Sequence, residues 1–346
     1  MTRKTRRFIF YGLVLVFFFI TPPTILYAVG YSFDWQNLAI KETGALFLSS
    51  QPAEAQIFLN GQSRKITPRL LAHLLPGNYQ LTVSQEGFHS WQKNLEVQAG
   101  LVTEARNIFL FPNEPEIKLL ATNVTSTPEF FLSDASTRKN QQQAQNIAST
   151  TAGWLLKNDQ IFYLEKNTGF LWRTDLSGSI KEQLTNDALP RQNYSIKTVF
   201  GNRFLAQGQN GQLFYLQKGD SWEKIADQIT STDFSTDEKK ILWVNGKEIW
   251  VRWLDDALIQ PYRSAGDQEL IARFSLPITQ AVFYPTNEHV SFTISGQIKI
   301  AELDGRDRRN IVNLFTAENP EIFLNPQNGS LCFKQQNDFY CFLLEK

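Results

Sequence analysis

Cysteine and histidine are scarce in this chain. Cys332 and Cys341 are the two cysteines among 346 residues, which excludes a disulfide framework as the main source of stability. Three histidines, His73, His89 and His289, leave little material for a zinc site or a nucleophilic triad. Charge of one sign is missing too. The 34 Lys and Arg balance 34 Asp and Glu, so no net field points to nucleic acid or to an acidic polymer. Nor are catalytic signatures present: there is no Gly-x-Ser-x-Gly elbow, Walker loop, dinucleotide glycine pattern or His-Glu-x-x-His. Asp304-Gly305-Arg306-Asp307 begins like part of a calcium loop but lacks the downstream acidic ligands and reads as a charged turn, with Arg308 and Arg309 extending a mixed rim. Asp255-Asp256 reads as a solvated turn, because adjacent side chains on a strand point to opposite faces. These absences point to a non-enzymatic protein with no catalytic residue, no cofactor and no metal site.

What the chain does have begins at its start. Arg3-Lys4-Thr5-Arg6-Arg7 runs into an uncharged apolar stretch from Phe8 to Val29. About 20 such residues reach across a hydrocarbon core of roughly 30 Å. Basic residues ahead of the span favour a cytoplasmic N-terminus with the bulk of the chain exported, so the expected location is the cytoplasmic membrane, single-pass. Thr21-Pro22-Pro23-Thr24 predicts a kink or an early end, since proline removes a backbone donor. A cleaved signal peptide is the alternative, with Phe8 to Ile20 as its apolar region and Ala28-Val29-Gly30 at the cleavage site. No Cys follows the run, which excludes a lipoprotein anchor.

Beyond it, Ala45–Leu48, Ala55–Leu59, Tyr79–Val83, Trp91–Val97 and Ala105–Leu110 alternate as strands do. Asn60-Gly61 is a tight-turn signal, and Pro76-Gly77, Glu86-Gly87 and Gly100 mark further reversals. Five or six short antiparallel strands can bury one inner face in a small sandwich. Pro52, Ala55, Asn60-Gly61, Thr67-Pro68, Leu74, Pro76-Gly77, Tyr79, Gly87-Phe88 and Trp91 stand in the pattern of the PEGA domain, which this segment resembles. Glu54 stands where that pattern has Gly, and Ile66 where a Gly often precedes Thr-Pro. The resemblance implies an envelope or surface module, carbohydrate or protein contact, and no active site. Trp91 and Tyr79 read as core, because aromatics supply much of the burial in so small a domain. His73 and His89 read as surface or turn residues.

From residue 113 the chain repeats a hairpin five times: Gln160–Leu164 with Phe170–Thr174, Arg203–Ala206 with Leu213–Leu216, Ile241–Val244 with Ile249–Trp253, Val290–Ile294 with Ile298–Ala301, and Leu331–Lys334 with Phe339–Phe342. The spacing is near the ~40–50 residues of a propeller blade. Asp233–Asp237, Val282–Asn287 and Ile322–Gly329 precede hairpins as third strands and resemble the Phe-Ser-Pro-Asp-Gly segment of TolB-type and WD-repeat-like blades. A propeller of five or six blades is the expected fold, with Ile117–Leu120 pairing with the last blade.

The expected architecture is thus all-β apart from one N-terminal transmembrane helix. Its parts are a basic tail (1–7), an anchor (8–29), a juxtamembrane linker (30–43), a sandwich (44–112) and a propeller-like domain (113–346) with a polar loop at 133–150. The expected role is a tethered binding or scaffold protein of a prokaryotic cell envelope. Its partners would be the membrane and a protein, peptide or envelope carbohydrate, and not nucleic acid. A purely structural stalk, or an enzyme with its site in the propeller channel, are the alternatives.

A two-residue turn at Gln336-Asn337 would set Cys332 opposite Cys341 as a non-hydrogen-bonded pair, with Cα atoms about 4.5 Å apart, near enough for a disulfide in an oxidising exterior. The alternative is two reduced, small apolar residues on one face.

Overall fold

The computed structural model describes residues 3–35, 37–123, 135–199, 203–217, 221–325 and 328–343. Ser133 and Asp134 of the polar run, and Pro326 and Gln327 of the last third-strand turn, lie outside them. The chain forms two compact units. The first holds Met1–Asn113 with Leu258–Tyr262 and Gly305–Asn310; the second holds Glu114–Ala257, Arg263–Asp304 and Ile311–Lys346.

The first unit opens with helix α1, Arg3–Ala28, whose 26 residues leave no side chain buried by protein. At ~1.5 Å per residue it is long enough to cross a bilayer. It runs through Pro22 and Pro23 rather than ending there. Residues 30–43, expected to be a linker, fold instead: Tyr31–Asp34 pairs antiparallel with Ala39–Glu42.

The sandwich that follows has two sheets. Arg69–Leu74, Gly44–Gln51 and Val102–Phe109 form one; Gln62–Ile66, Gln56–Leu59, Gly77–Ser84 and Trp91–Val97 form the other. Alternate residues face inward, as in Trp91–Val97, where Trp91, Lys93, Leu95 and Val97 are all buried. Leu46, Leu48, Ile57, Leu81, Val83, Trp91 and Leu95 make the core. The antiparallel expectation fails at one place. Gly44–Gln51 and Val102–Phe109, the first and last strands, pair in parallel. The chain crosses from one sheet to the other between Val97 and Val102 instead of turning back on the same sheet, and this lets the last strand run alongside the first.

Two departures from the PEGA pattern can be read in this geometry. Glu54 sits at φ +64°, in the left-handed region that glycine tolerates and other residues adopt only under strain. Its amide donates to the Thr67 carbonyl at 2.8 Å, which holds the turn despite the wrong residue. Glu54→Gly should therefore raise stability by up to about 1 kcal/mol, the left-handed penalty less the entropy glycine loses on folding. Denaturant midpoints of the two proteins measure this; a lower midpoint for the variant would contradict it. Ile66 simply ends an exposed strand, paired with Gln56.

Among the described residues, the second unit holds five four-stranded antiparallel sheets. In chain order, sheet I holds Gly153–Lys157, Gln160–Leu164, Leu171–Asp175 and Lys181–Gln183; sheet II holds Tyr194–Val199, Arg203–Gly208, Leu213–Leu216 and Glu223–Ala226. Sheet III holds Ser231–Phe234, Lys240–Asn245, Glu248–Trp253 and Gln268–Arg273; sheet IV holds Gln280–Phe283, His289–Ile294, Gln297–Glu302 and Ile311–Thr316. Sheet V takes Glu321–Leu324, Leu331–Gln335 and Asp338–Phe342 from the end of the chain, and Ile117–Ala121 completes it by pairing with Asp338–Phe342.

Every expected hairpin is the central strand pair of its sheet. Several of these strands are buried on both faces, as in His289–Ile294, where Val290, Phe292 and Ile294 lie on one face and the polar His289, Ser291 and Thr293 on the other, all six buried. Strands buried on both sides belong between neighbouring sheets, and polar contacts join each sheet to the next. Tyr194 N donates to Ala152 O at 2.7 Å, just before sheet I, and a Cβ at Gly153 would lie 2.3 Å from the Tyr194 carbonyl. Arg203 of sheet II forks onto Asp255 (2.7 and 3.2 Å) beyond the second hairpin strand of sheet III. Lys240 Nζ of sheet III reaches Glu288 Oε1 beside sheet IV at 3.0 Å. The Gln280 side-chain amide of sheet IV donates to Ile322 O and accepts from Ile322 N of sheet V.

The polar run is not a loop. Ala135–Ala148 is helix α2, so the described residues hold a helix in addition to α1. Gln, Arg, Lys and Ala propagate helices well. Its buried face is small, which hides the periodicity: Ala144 and Ala148 are buried on Ile161, with Ile147 beside them. One turn away, Asn140 Nδ2 donates to Asp159 and Gln143 Nε2 to Leu176 O.

Candidate functional site

The residues singled out in the sequence scatter. Trp91 is core, 4% exposed, and Tyr79 packs partly buried against the same cluster with its hydroxyl donating to Leu75 O. Thr67, of the Thr-Pro pair, is buried; its hydroxyl meets Ser50 Oγ at 2.6 Å and accepts Ala55 N. His73 stacks on Tyr27 of α1, ring centroids 4.0 Å apart. The charged cluster Arg306, Asp307, Arg308 and Arg309, expected to be a rim, lies in a segment bonded within the first unit. Buried Lys93 donates to the carbonyls of Arg306 and Arg308, and Asp307 accepts from Asn94. Asp255 is likewise engaged, held below the usual carboxylate range first by its hydrogen bonds from Arg203.

Cys332 stands opposite Cys341 across a two-residue turn in which Gln335 pairs with Asp338. The two sulfurs are bonded, with Cα atoms 3.9 Å apart.

The second unit contains two buried titratable centres that motif searching missed. Lys240, almost fully buried, lies 3.0 Å from Glu288 and 3.7 Å from Asp237. Burial pushes the Glu288 carboxyl up, and the Lys240 ammonium opposes that shift. Beside them His289 is buried, its Nδ1 3.0 Å from the Thr286 hydroxyl. Burial pushes its pKa down to about 3, and burial raises Tyr284 as well. Lys240 and His289 are buried, while the Glu288 and Asp237 side chains keep about a third of their surface in solvent, and among the described residues no three His, Cys, Asp or Glu converge in a way suited to a metal.

The sign of the His289 effect follows from linkage. Native His289 stays neutral, while the unfolded chain takes up its proton below about pH 6.5. Stability is therefore full above that pH and falls by up to ~1.4 kcal/mol per unit as the pH drops toward 3. His289→Asn keeps a polar group for Thr286 but does not titrate. Its stability–pH slope should be shallower than wild type between about pH 6 and 4; parallel curves would contradict a neutral His289.

An open groove of about 680 Å³ lies at one end of sheet II. Asn193, Tyr194, Ser195, Gln207, Gln209, Asn210 and Gln228 line it with Gly208, Gly211 and Ile229, and no charged side chain is among them. The Asn210-Gly211 turn builds its floor. Gly211 is at φ +80°, and a Cβ there would lie 3.1 Å from the Gln228 backbone, so a side chain would be both strained and crowded. Behind the turn is an amide network. Gln192 Oε1 accepts Asn210 N, Asn210 Nδ2 donates to Gln212 Oε1, and Gln192 Nε2 donates to the Tyr194 hydroxyl. That hydroxyl donates to Pro190 O, and burial raises the Tyr194 pKa, an effect the Gln192 bond opposes. The Asn193, Gln209 and Gln228 side chains remain available at the exposed wall. Such amides both donate and accept, which suits a neutral ligand rich in hydroxyl or amide groups and not an ion.

Comparison with known proteins bears on the first unit. Residues 43–108, which span most of the sandwich, match the PEGA domain family. No curated protein matches the chain. Among solved structures, a structural genomics protein of unknown function from Bacteroides thetaiotaomicron shares 10% identity, covering 81% of this chain and 73% of its own at a TM-score of 0.32. A nidogen/laminin complex chain shares 10%, covering 54% and 78%, at 0.33. Scores this low carry no argument about fold or function. Together, a PEGA domain and an apolar helix long enough to span are consistent with a membrane-anchored extracellular protein.

Proposed function

We propose that this chain is a non-enzymatic binding protein, tethered by α1 to the cytoplasmic membrane with its N-terminus inside. On this reading it presents its β domains on the outer side to a protein, peptide or envelope polymer. The PEGA domain acts as a spacer next to the membrane. The second unit is a five-bladed β-propeller. Supporting that reading, the first strand of each sheet lies at a sheet edge, and such strands of sheets I and II, III and IV, and IV and V touch. Both ends of the region contribute to sheet V, a way of joining a first blade to a last.

The observation that carries the binding reading is the uncharged, amide-lined groove on sheet II. Carboxamides facing solvent on a sheet end suit the repeated hydroxyls and amides of an envelope polymer. Co-sedimentation with purified, delipidated envelope polysaccharide tests it. The wild-type protein should pellet, and a variant with Asn193, Gln209 and Gln228 all changed to Ala should stay in the supernatant. A wild-type protein that fails to pellet, or a triple variant that pellets equally, would contradict the assignment.

A further inference from the structure

The hairpin directly after α1 is inside out. Tyr31–Asp34 and Ala39–Glu42 pair with Phe33 opposite Ile40, so these two apolar side chains share one face, and both are exposed. At the turn, Trp35 is 80% and Leu38 is 74% exposed. Trp35 packs edge-on against Phe33, ring centroids 4.7 Å apart. Leu38 is held at φ +49°, in the left-handed region that an apolar L residue adopts only under strain. The polar group lies on the other face. Asp34 is 5% exposed, its carboxylate accepting from Asn37 and paired with Lys41 at 2.7 Å. A short hairpin in water would place these groups the other way round.

Position says what covers the apolar face. The hairpin starts three residues after α1 ends at Ala28, and its base is bonded to the helix end. Gly30 N donates to Tyr27 O, and both the amide and the hydroxyl of Thr43 donate to Gly30 O. Thr43 O in turn accepts Gly100 N, whose neighbour Leu101 is also exposed. A four-residue strand is ~13 Å long, whereas the head-group layer of one leaflet is only about 5–8 Å thick. Lying along the surface, the hairpin fits that layer, where Trp and other aromatic residues are enriched.

We propose that the Tyr31–Glu42 hairpin is an interfacial foot, with Phe33, Trp35, Leu38 and Ile40 immersed in the head-group layer of the bilayer that α1 crosses. This rests on the reading of α1 as a span, and the test separates the two. The full chain, carrying Trp35→Cys, Leu15→Cys or Gln62→Cys, is labelled with an environment-sensitive fluorophore. Cys332 and Cys341 are buried and do not compete for the label. Each protein is reconstituted in phosphatidylcholine vesicles bearing nitroxide lipids, spin-labelled at the head group or at mid-chain. The label at 35 should lose most of its emission to the head-group nitroxide, that at 15 to the mid-chain nitroxide, and that at 62 to neither. Quenching at 15 with position 35 behaving like 62 would overturn the foot while leaving the span intact. If emission at 35 instead falls only as protein density rises, the apolar face pairs with a second copy and the proposal fails. Absence of quenching at 15 would overturn both readings. Leu38→Cys, at the same exposed turn, repeats the measurement if the Trp35 variant folds poorly.

Discussion

Trp91→Ala is expected to cost about 3–5 kcal/mol of folding free energy, the range for emptying an aromatic site in a packed core. Trp91 lies across from Val83 and belongs to the core cluster of the sandwich, whose other buried members are aliphatic. Little can collapse into the space the indole leaves. Trp91→Phe should lose less, because most of the apolar area stays. Chemical denaturation followed by circular dichroism measures both. A near-neutral Trp91→Ala would mean that the indole is dispensable to the core.

Lys240→Ala is the second large effect. A fully buried ion pair loses ~3–5 kcal/mol when one partner is removed, because the other charge is left without compensation. The Glu288 side chain keeps about a third of its surface in solvent, so the expected loss is smaller, about 2–3 kcal/mol. Two further results follow from the same electrostatics. Burial already raises Glu288, and removing Lys240 raises it further, so the deficit of the variant should shrink as pH falls and Glu288 takes up a proton. Replacing both residues, Lys240→Met with Glu288→Leu, should restore most of the lost stability. A pH-independent deficit, or a double variant worse than Lys240→Ala, would show that the pair is not electrostatically coupled.

How much of this could be read from residues alone depends on burial. The central hairpins were legible because their strands carry apolar runs or alternation, such as Ile241–Val244 and the alternate Val290, Phe292 and Ile294, flanked by turns such as Asn245-Gly246 and Ser295-Gly296. The register of the last hairpin followed from its turn, which sets Cys332 opposite Cys341. The outer strands Lys181–Gln183 and Glu223–Ala226 were not legible. They are short, largely exposed edges whose pairing rests on backbone bonds rather than a hydrophobic pattern. Helix α2 escaped notice because Asn140 and Gln143 anchor it through their side-chain amides. The parallel pairing in the sandwich is a property of chain crossing, which alternation does not encode. The groove was least visible of all: Asn193, Gln209 and Gln228 are common residue types on separate segments, and only the Asn210-Gly211 turn signals the place.

The central claim is that α1 holds the β domains on the outer side of the membrane. A reporter enzyme that becomes active only after export and disulfide formation, fused after Lys346 in the full chain, tests it most directly. Its activity, together with darkness of a fluorescent protein that matures only in the cytoplasm and is fused at the same point, is the predicted result. A bright cytoplasmic reporter with an inactive exported one would contradict the claim.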